Sequence, residues 1–600
     1  MPTLCRGLVF ILLLASNSVL AKADYSMVLM GGGMQFCTSL EPRQCEKPLK
    51  IKSDSLVEFL YQVNPTNIQG IAESLWLENR TETRVHVIEA LNQVAAISKS
   101  EMSKRQLLNI FRKTELVSKG KKLSGAELLR SLHDNEFQLV MDWLQKPALD
   151  GAFFGQSDRK QIRVSLKNDK NPFTARVFKQ FVGLTQQLSD HKKPTILFVT
   201  AGNSDVFAEV DLYQQVFKQL GVKANWLPLD AAFLYALLEN EGTKEKPYCA
   251  NLDLYRQMKL HRFKRAKIYP DLASYQTELC LEPDKLSKMI DSAHGLFFAD
   301  GNPNLIKRAL FYEDGTASAL LTNIKTRLAN GELVVAADGG AARAMTASYE
   351  SNGVMMLAGN SHQALTSGSL ASEKLLRGCE KQGACPPGYV KNGLVYQPSG
   401  GIGLFEFGIV DSRLSEKARQ GRLIRLLADT PVRYGYGVDE RTALLVNWQQ
   451  LGDIELKMEV VGQNGVTIFD SKEVLPAKSF KRDIYSIKQH YITHGDQLFF
   501  RGNKLVVSFA DWKYSSNKMS KPVIQSGNAF TKDNYRRTVN ILCNTGAENA
   551  TLKHSVVGKG HVIFVQKSRT SISLSGSRNI NGKNYGYCSF RDYYVDVKAI

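Results

Sequence analysis

Beyond its N-terminus the chain has no unbroken apolar run near the roughly 18 residues that a membrane helix needs. A bilayer-spanning body is thereby excluded, and a soluble mature protein is expected. There is no CxxC pair and no HExxH, so the spacings that commonly hold zinc are missing, and no metal or other cofactor is expected. Acidic residues are in deficit: 58 Asp and Glu face 77 Lys and Arg, a formal net charge of +19. Such an excess suits nucleic acid, an anionic lipid or glycan, or an acidic polymer. No segment resembles a nucleic-acid-binding module. Hydrophobic residues at 43% and charged residues at 22% exclude wholesale disorder and a fibrous fold. At about 150 residues per domain, 600 residues are enough for about two to four domains.

What is present at the N-terminus points to export. Arg6 precedes the apolar run Gly7 to Ala15, and small residues follow as far as Ala21. A basic start, a short apolar middle and small residues before a cut describe a secretory signal peptide over 1–21. The expected location is periplasmic or extracellular. Removing Cys5 leaves eight cysteines, an even number that suits disulfides in an oxidising compartment. Pairing sequence neighbours gives Cys37–Cys45, Cys249–Cys280, Cys379–Cys385 and Cys543–Cys588, although spacing alone does not fix connectivity.

Periodicity divides the chain. Met27 to Met30 reads as a buried strand running into Gly31-Gly32-Gly33. Residues 50–190 show helical spacing and read as an insertion. From Pro194 the pattern becomes strand, glycine turn, helix: Thr195 to Thr200, Gly295 to Ala299 and Leu333 to Ala337 each end in such a turn. Gly221 is expected to stop the helix Asp211 to Leu220. This alternation predicts a parallel sheet covered by helices, with ligands at the carboxyl ends of its strands. Residues 22–49 supply its first strand, 191–505 form the main α/β domain, and 506–600 read as a β-rich C-terminal appendage.

The segment Leu333 to Met345 (LVVAADGGAARAM) has the outline of a nucleophile elbow, in which a buried strand turns sharply into a helix whose N–H groups face the turn. Its apex is Gly339, which has no side chain, so a plain tight turn is the competing reading. Gly401 to Val446 (GIGLFEFGIVDSRLSEKARQGRLIRLLADTPVRYGYGVDERTALLV) closely resembles the cyanophycinase-type serine exopeptidases. Their pattern runs GLGL, a strand ending DxHF, RxRxxRL, then GIDExTAxxV. Met27 to Gly33, Ile196 to Asp230, Leu296 to Asn302, Val334 to Met345, Met458 to Asp470 and Ile487 to Phe499 match other family segments in order. The resemblance implies a flavodoxin-like α/β sandwich of the class I glutamine amidotransferase relatives.

It also implies a damaged catalytic set. The family nucleophile falls on Gly339, the family histidine on Arg413, and the glutamine of the GG-D/N-Q turn on Pro303. A hydroxyl nucleophile needs an adjacent base, and Arg413 cannot serve as one. The segment that would hold the acidic member is expanded around Cys379 and Cys385. By the same resemblance, Asp411, Lys417, Arg419 and Arg422 match the substrate-site Asp and RxRxxR series, and Gly301, Asn302 and Gly340 fall on substrate-site turns. A solvated helix face is the alternative for Arg419 and Arg422. Asp439 and Glu440 are expected to support a turn, and His261 and His494 to be surface or packing residues. Ser361 and His362 are the one candidate for a relocated site.

Two basic stretches lie outside the family-like core. Lys99 to Arg130 carries nine Lys and Arg against three Glu, and Arg256 to Lys267 carries six and no acid. The ordinary reading is a solvated face. The sharper one is an anion-binding patch with Phe263 and Tyr269 beside it, facing an anionic glycan or lipid surface. The expected protein is an exported cyanophycinase-like chain without serine hydrolase activity that binds a peptide or charged polymer in the inherited cleft. Its alternatives are an active serine-type exopeptidase with a rearranged site, and an envelope-associated anion-binding structural protein.

Overall fold

The computed structural model describes residues 22–52, 55–98, 101–118, 120–147, 160–189, 193–375, 378–448, 455–474, 482–502, 504–515, 520–556 and 558–600. The expected signal peptide lies outside the described residues, as do Lys99 and Lys119. The main sheet has nine strands: β1 (Met27–Met30), β2 (Thr195–Val199), β3 (Lys223–Trp226), β4 (Gly295–Phe298), β5 (Val334–Asp338), β6 (Thr442–Asn447), β7 (Leu456–Gly462), β8 (Gln497–Arg501) and β9 (Lys504–Ser508). Their spatial order is β9-β8-β7-β6-β1-β5-β4-β2-β3. From β1 to β3 every pairing is parallel. From β1 to β9 every pairing is antiparallel.

The central strands are buried along their whole length, as a sheet covered on both faces requires. Alternate residues face opposite layers. Leu197, Leu296, Val335 and Leu444 pack with Phe233, Leu286 and Ile324. Ile196, Phe297, Ala336 and Leu445 pack on the other side with Phe178, Phe181 and Phe217. Helix Val210–Gln219 ends as expected, with Gly221 in the left-handed region at φ 79°. The α/β class is thereby established.

Two boundaries differ from the sequence reading. Helix Pro172–Leu188 lies in the main sheet's helical layer through Phe178 and Phe181, so the helical insertion stops short of it. The insertion itself holds helices Pro65–Glu73, Thr81–Ile97, Lys104–Phe111, Gly125–Ser131 and Asp134–Leu144 around a core of Ile71, Leu91, Val94, Phe111 and Leu144. The C-terminal residues are β-rich but do not stand apart as an appendage. They complete an eight-stranded second sheet in the order Ile409–Ser412, Tyr434–Val438, Gly465–Asp470, Ile484–Thr493, Lys583–Ala599, Lys559–Ile580, Asn549–Val556, Ile524–Ser526. Strand pairing between Ile484–Thr493 and Lys583–Ala599 makes the join.

All four expected disulfides are present: Cys37–Cys45, Cys249–Cys280, Cys379–Cys385 and Cys543–Cys588. Among the described residues no helix is long and apolar enough to cross a membrane.

Candidate functional site

The turns after β2 and β4 open into a cavity of about 1610 Å³. Gly202 and Asn203 line it from the first turn, and Asp300, Gly301 and Asn302 from the second. Asp134, Asn135 and Gln138 of the helical insertion also line it. Its wall carries both signs of charge, with Lys259, Lys325 and Lys374 beside Glu313, Asp314 and Glu350.

Behind this wall the turn after β5 keeps the backbone of an elbow. Gly339 has φ 54° and ψ −114°, a conformation that residues with a Cβ adopt only under strain. The space a side chain would need is filled. A Cβ on Gly339 would lie 2.1 Å from Asp300 Oδ1 and 2.3 Å from its Cγ. The Gly340 N–H, first of the short helix Gly340–Ala344, donates to that same Oδ1 at 2.7 Å. Asp300 Oδ2 accepts a hydrogen bond from the Arg413 guanidinium. Arg413 lies across the Gly31-Gly32-Gly33 turn, where a Cβ on Gly32 would stand 3.0 Å from its Nε, and Glu440 approaches that Nε at 3.6 Å. A carboxylate and a guanidinium thus face each other at the elbow.

More acid surrounds the pair. Asp338 is 3% exposed and its Oδ1 has no partner; burial and the Asp300 charge push its carboxyl well above the usual range. Glu209, on the cavity wall, is pushed up to about 7 by burial, with Asp300 and Asp205 adding to it. The arrangement supplies proton-holding acids and a fixed ion pair, but no hydroxyl or thiol at the elbow apex. Asp300 went unnoticed in the sequence. Its signal was an acid at the first position of the turn after β4, in a fold where such turns face one another.

The expected binding residues divide. Gly301 and Asn302 line the cavity, whereas Asp411, Lys417, Arg419, Arg422 and Gly340 do not; Arg413, not expected as a binding residue, also lines it. Asn302 also caps helix Pro303–Arg308, its Oδ1 accepting from the Asn304 N–H at 2.9 Å. Asp411 is fully buried and holds Arg422 at both oxygens, at 2.6 and 2.8 Å. Arg419 donates to the Ser412 carbonyl at 2.7 Å, and burial, with Arg422 beside it, lowers its pKa from the ordinary arginine value. Lys417 is exposed but does not line the cavity. The Asp411–Arg422 pair is therefore a buried ion pair outside the lining. Asp439 supports a turn, accepting from the Ser415 N–H at 3.0 Å, and it also holds Arg536.

Ser361 and His362 are not a dyad. Ser361 is 1% exposed and donates to the Ala418 carbonyl at 2.6 Å, while the His362 ring packs against those of His554 and His561. His261 lines the cavity, and His494 packs on Tyr587. The stretch Arg256 to Lys267 is not an exposed patch. Arg256, Arg262 and Arg265 are 1%, 8% and 0% exposed. Arg262 donates to both oxygens of Asp142 at 2.9 Å, and Arg265 reaches Asp205 at 2.8 Å and Gln145 at 2.9 Å. Phe263 is buried in the core of the insertion. The run is a buried clamp joining the insertion to the turn after β2. In contrast, Lys104, Arg105, Arg112, Lys113, Lys121, Lys122 and Arg130 are exposed.

No protein-family model matches the chain. Among solved structures, a peptidase from an acI-B1 Actinobacterium is similar with a TM-score of 0.30 and 16% sequence identity, over 55% of this chain and 92% of that one.

Proposed function

We propose that this is an exported, cyanophycinase-like protein that binds a peptide or charged polymer in the cavity at the carboxyl ends of β2 and β4, and that its elbow carries out no serine hydrolysis. One observation carries the reading: the Asp300 carboxylate fills the volume of the absent nucleophile and takes the Gly340 N–H that would otherwise face a developing oxyanion. The mixed charge of the lining favours a ligand that itself carries both signs. Four disulfides support an oxidising destination.

The test is fluorescence anisotropy with a labelled peptide of alternating Asp and Arg. Saturable binding is expected, and Ala317→Trp, which pushes an indole into the cavity from an exposed lining position, should abolish it. Failure of the wild-type protein to bind overturns the binding reading. Release of free amines that is lost in Asp300→Asn or Arg413→Gln overturns the inert elbow.

A further inference from the structure

The cavity has a second polar cluster, remote in sequence from the elbow. Lys307, on helix Pro303–Arg308, is 8% exposed and lines the cavity together with Ser399, Glu373 and Gln397. Its Nζ donates to Ser399 Oγ at 2.7 Å, to the Gly400 carbonyl at 2.8 Å and to the Ser399 carbonyl at 3.1 Å. Glu373 holds the serine from the other side. One oxygen accepts from the Ser399 N–H at 3.0 Å, and the other from its hydroxyl at 2.5 Å. Gln397 Nε2 fixes that second oxygen at 3.0 Å. Gln397 is itself 7% exposed.

We infer that Ser399 is an acyl-accepting nucleophile with Lys307 as its base, acting on an ester or amide of a ligand held in the cavity. Serine–lysine pairs are an established variant of the serine–base arrangement. The inference rests on the cavity being the binding site proposed above, but it does not use the elbow. Burial holds Lys307 down to about 8, against the pull of the Glu373 charge. Above that pH the amine is free and the hydroxyl proton can turn from Glu373 towards it. Lys307 Nζ then takes that proton as Oγ bonds to the acyl carbon and the scissile C–N or C–O bond breaks. The ammonium returns the proton to the leaving amine or alcohol. Water next attacks the acyl-serine, giving a proton to Lys307, which passes it to Ser399 Oγ as the acid departs.

The full-length protein is treated with a fluorophosphonate probe from pH 6 to pH 9, and the labelled peptide is identified by mass spectrometry. Labelling at Ser399 is expected, rising through about pH 8 and absent in Ser399→Ala. Lys307→Arg keeps the cation but cannot accept a proton in this range, so labelling should slow by on the order of a hundredfold or more. Thermal unfolding of both variants checks that they are folded, and Ser292→Ala, an exposed serine outside the cavity, should label as wild type. No label at pH 9, label surviving Ser399→Ala, or an unchanged rate in folded Lys307→Arg overturns the inference. Peptide anisotropy on Ser399→Ala separates the two readings: binding retained while labelling is lost fits both, whereas labelling at Ser399 without peptide binding fails only the binding reading.

Discussion

Placing a hydroxyl at the elbow apex should not create a working nucleophile, for a reason that can be measured. Gly339→Ser places a Cβ in a backbone conformation that costs about 1–3 kcal/mol for a residue other than glycine. The new atom would stand 2.1 Å from Asp300 Oδ1, so the carboxylate must swing away. That breaks its charge-assisted bond to the Gly340 N–H, worth about 1.5–3 kcal/mol. It also loosens the pair with Arg413, whose side chains are 24% and 26% exposed and contribute about 1 kcal/mol. The variant should lose about 5 kcal/mol and gain no hydrolysis at the elbow. Asp300→Gly should lose about 3 kcal/mol, because the same carboxylate contacts vanish. In the double variant that loss is counted once, so the two effects should fall short of additivity by about 3 kcal/mol. Urea unfolding of the four proteins, disulfides intact, reads this directly. Additivity within about 0.5 kcal/mol would falsify the claim that Asp300 occupies the nucleophile's place.

Other expectations concern the rest of the molecule. Arg265→Met should destabilise the protein by about 3 kcal/mol and make the insertion the first region cut by protease, since it leaves Asp205 short of a buried partner; unchanged proteolysis would argue against the clamp. Replacing Cys249 and Cys280 by Ser opens a link with a sequence separation of 31 and should cost about 3–4 kcal/mol, checked by denaturant midpoint. Glu209 has a raised folded-state pKa, so its protonated form favours the fold below its unfolded value, and that contribution is lost as pH rises through about 7. Glu209→Gln should therefore match wild type near pH 4.5 and exceed its stability by about 3 kcal/mol at pH 8; parallel stability curves would place Glu209 in solvent.

Local signals made much of the fold legible. Strands β2, β4 and β5 announce themselves as short apolar runs that end in small-residue turns, and each disulfide closes within one segment. What failed to show depends on distant partners. Arg262 and Arg265 read as part of a basic run because the acids that neutralise them, Asp142 and Asp205, lie 120 and 57–60 residues away. The C-terminal strands read as separate because nothing in Ile484–Thr493 specifies pairing with residues about a hundred positions later. The elbow was legible as a shape with a glycine at its apex. The carboxylate that fills the space beside it was not, because Asp300 gains meaning only from the glycine it faces.

The second sheet has a temporal consequence. Lys583–Ala599 lies between Ile484–Thr493 and Lys559–Ile580, so two strands made earlier each keep one unpaired edge until it emerges. During synthesis both present open edges, which template aggregation, and Cys543 waits as an unpaired thiol for Cys588.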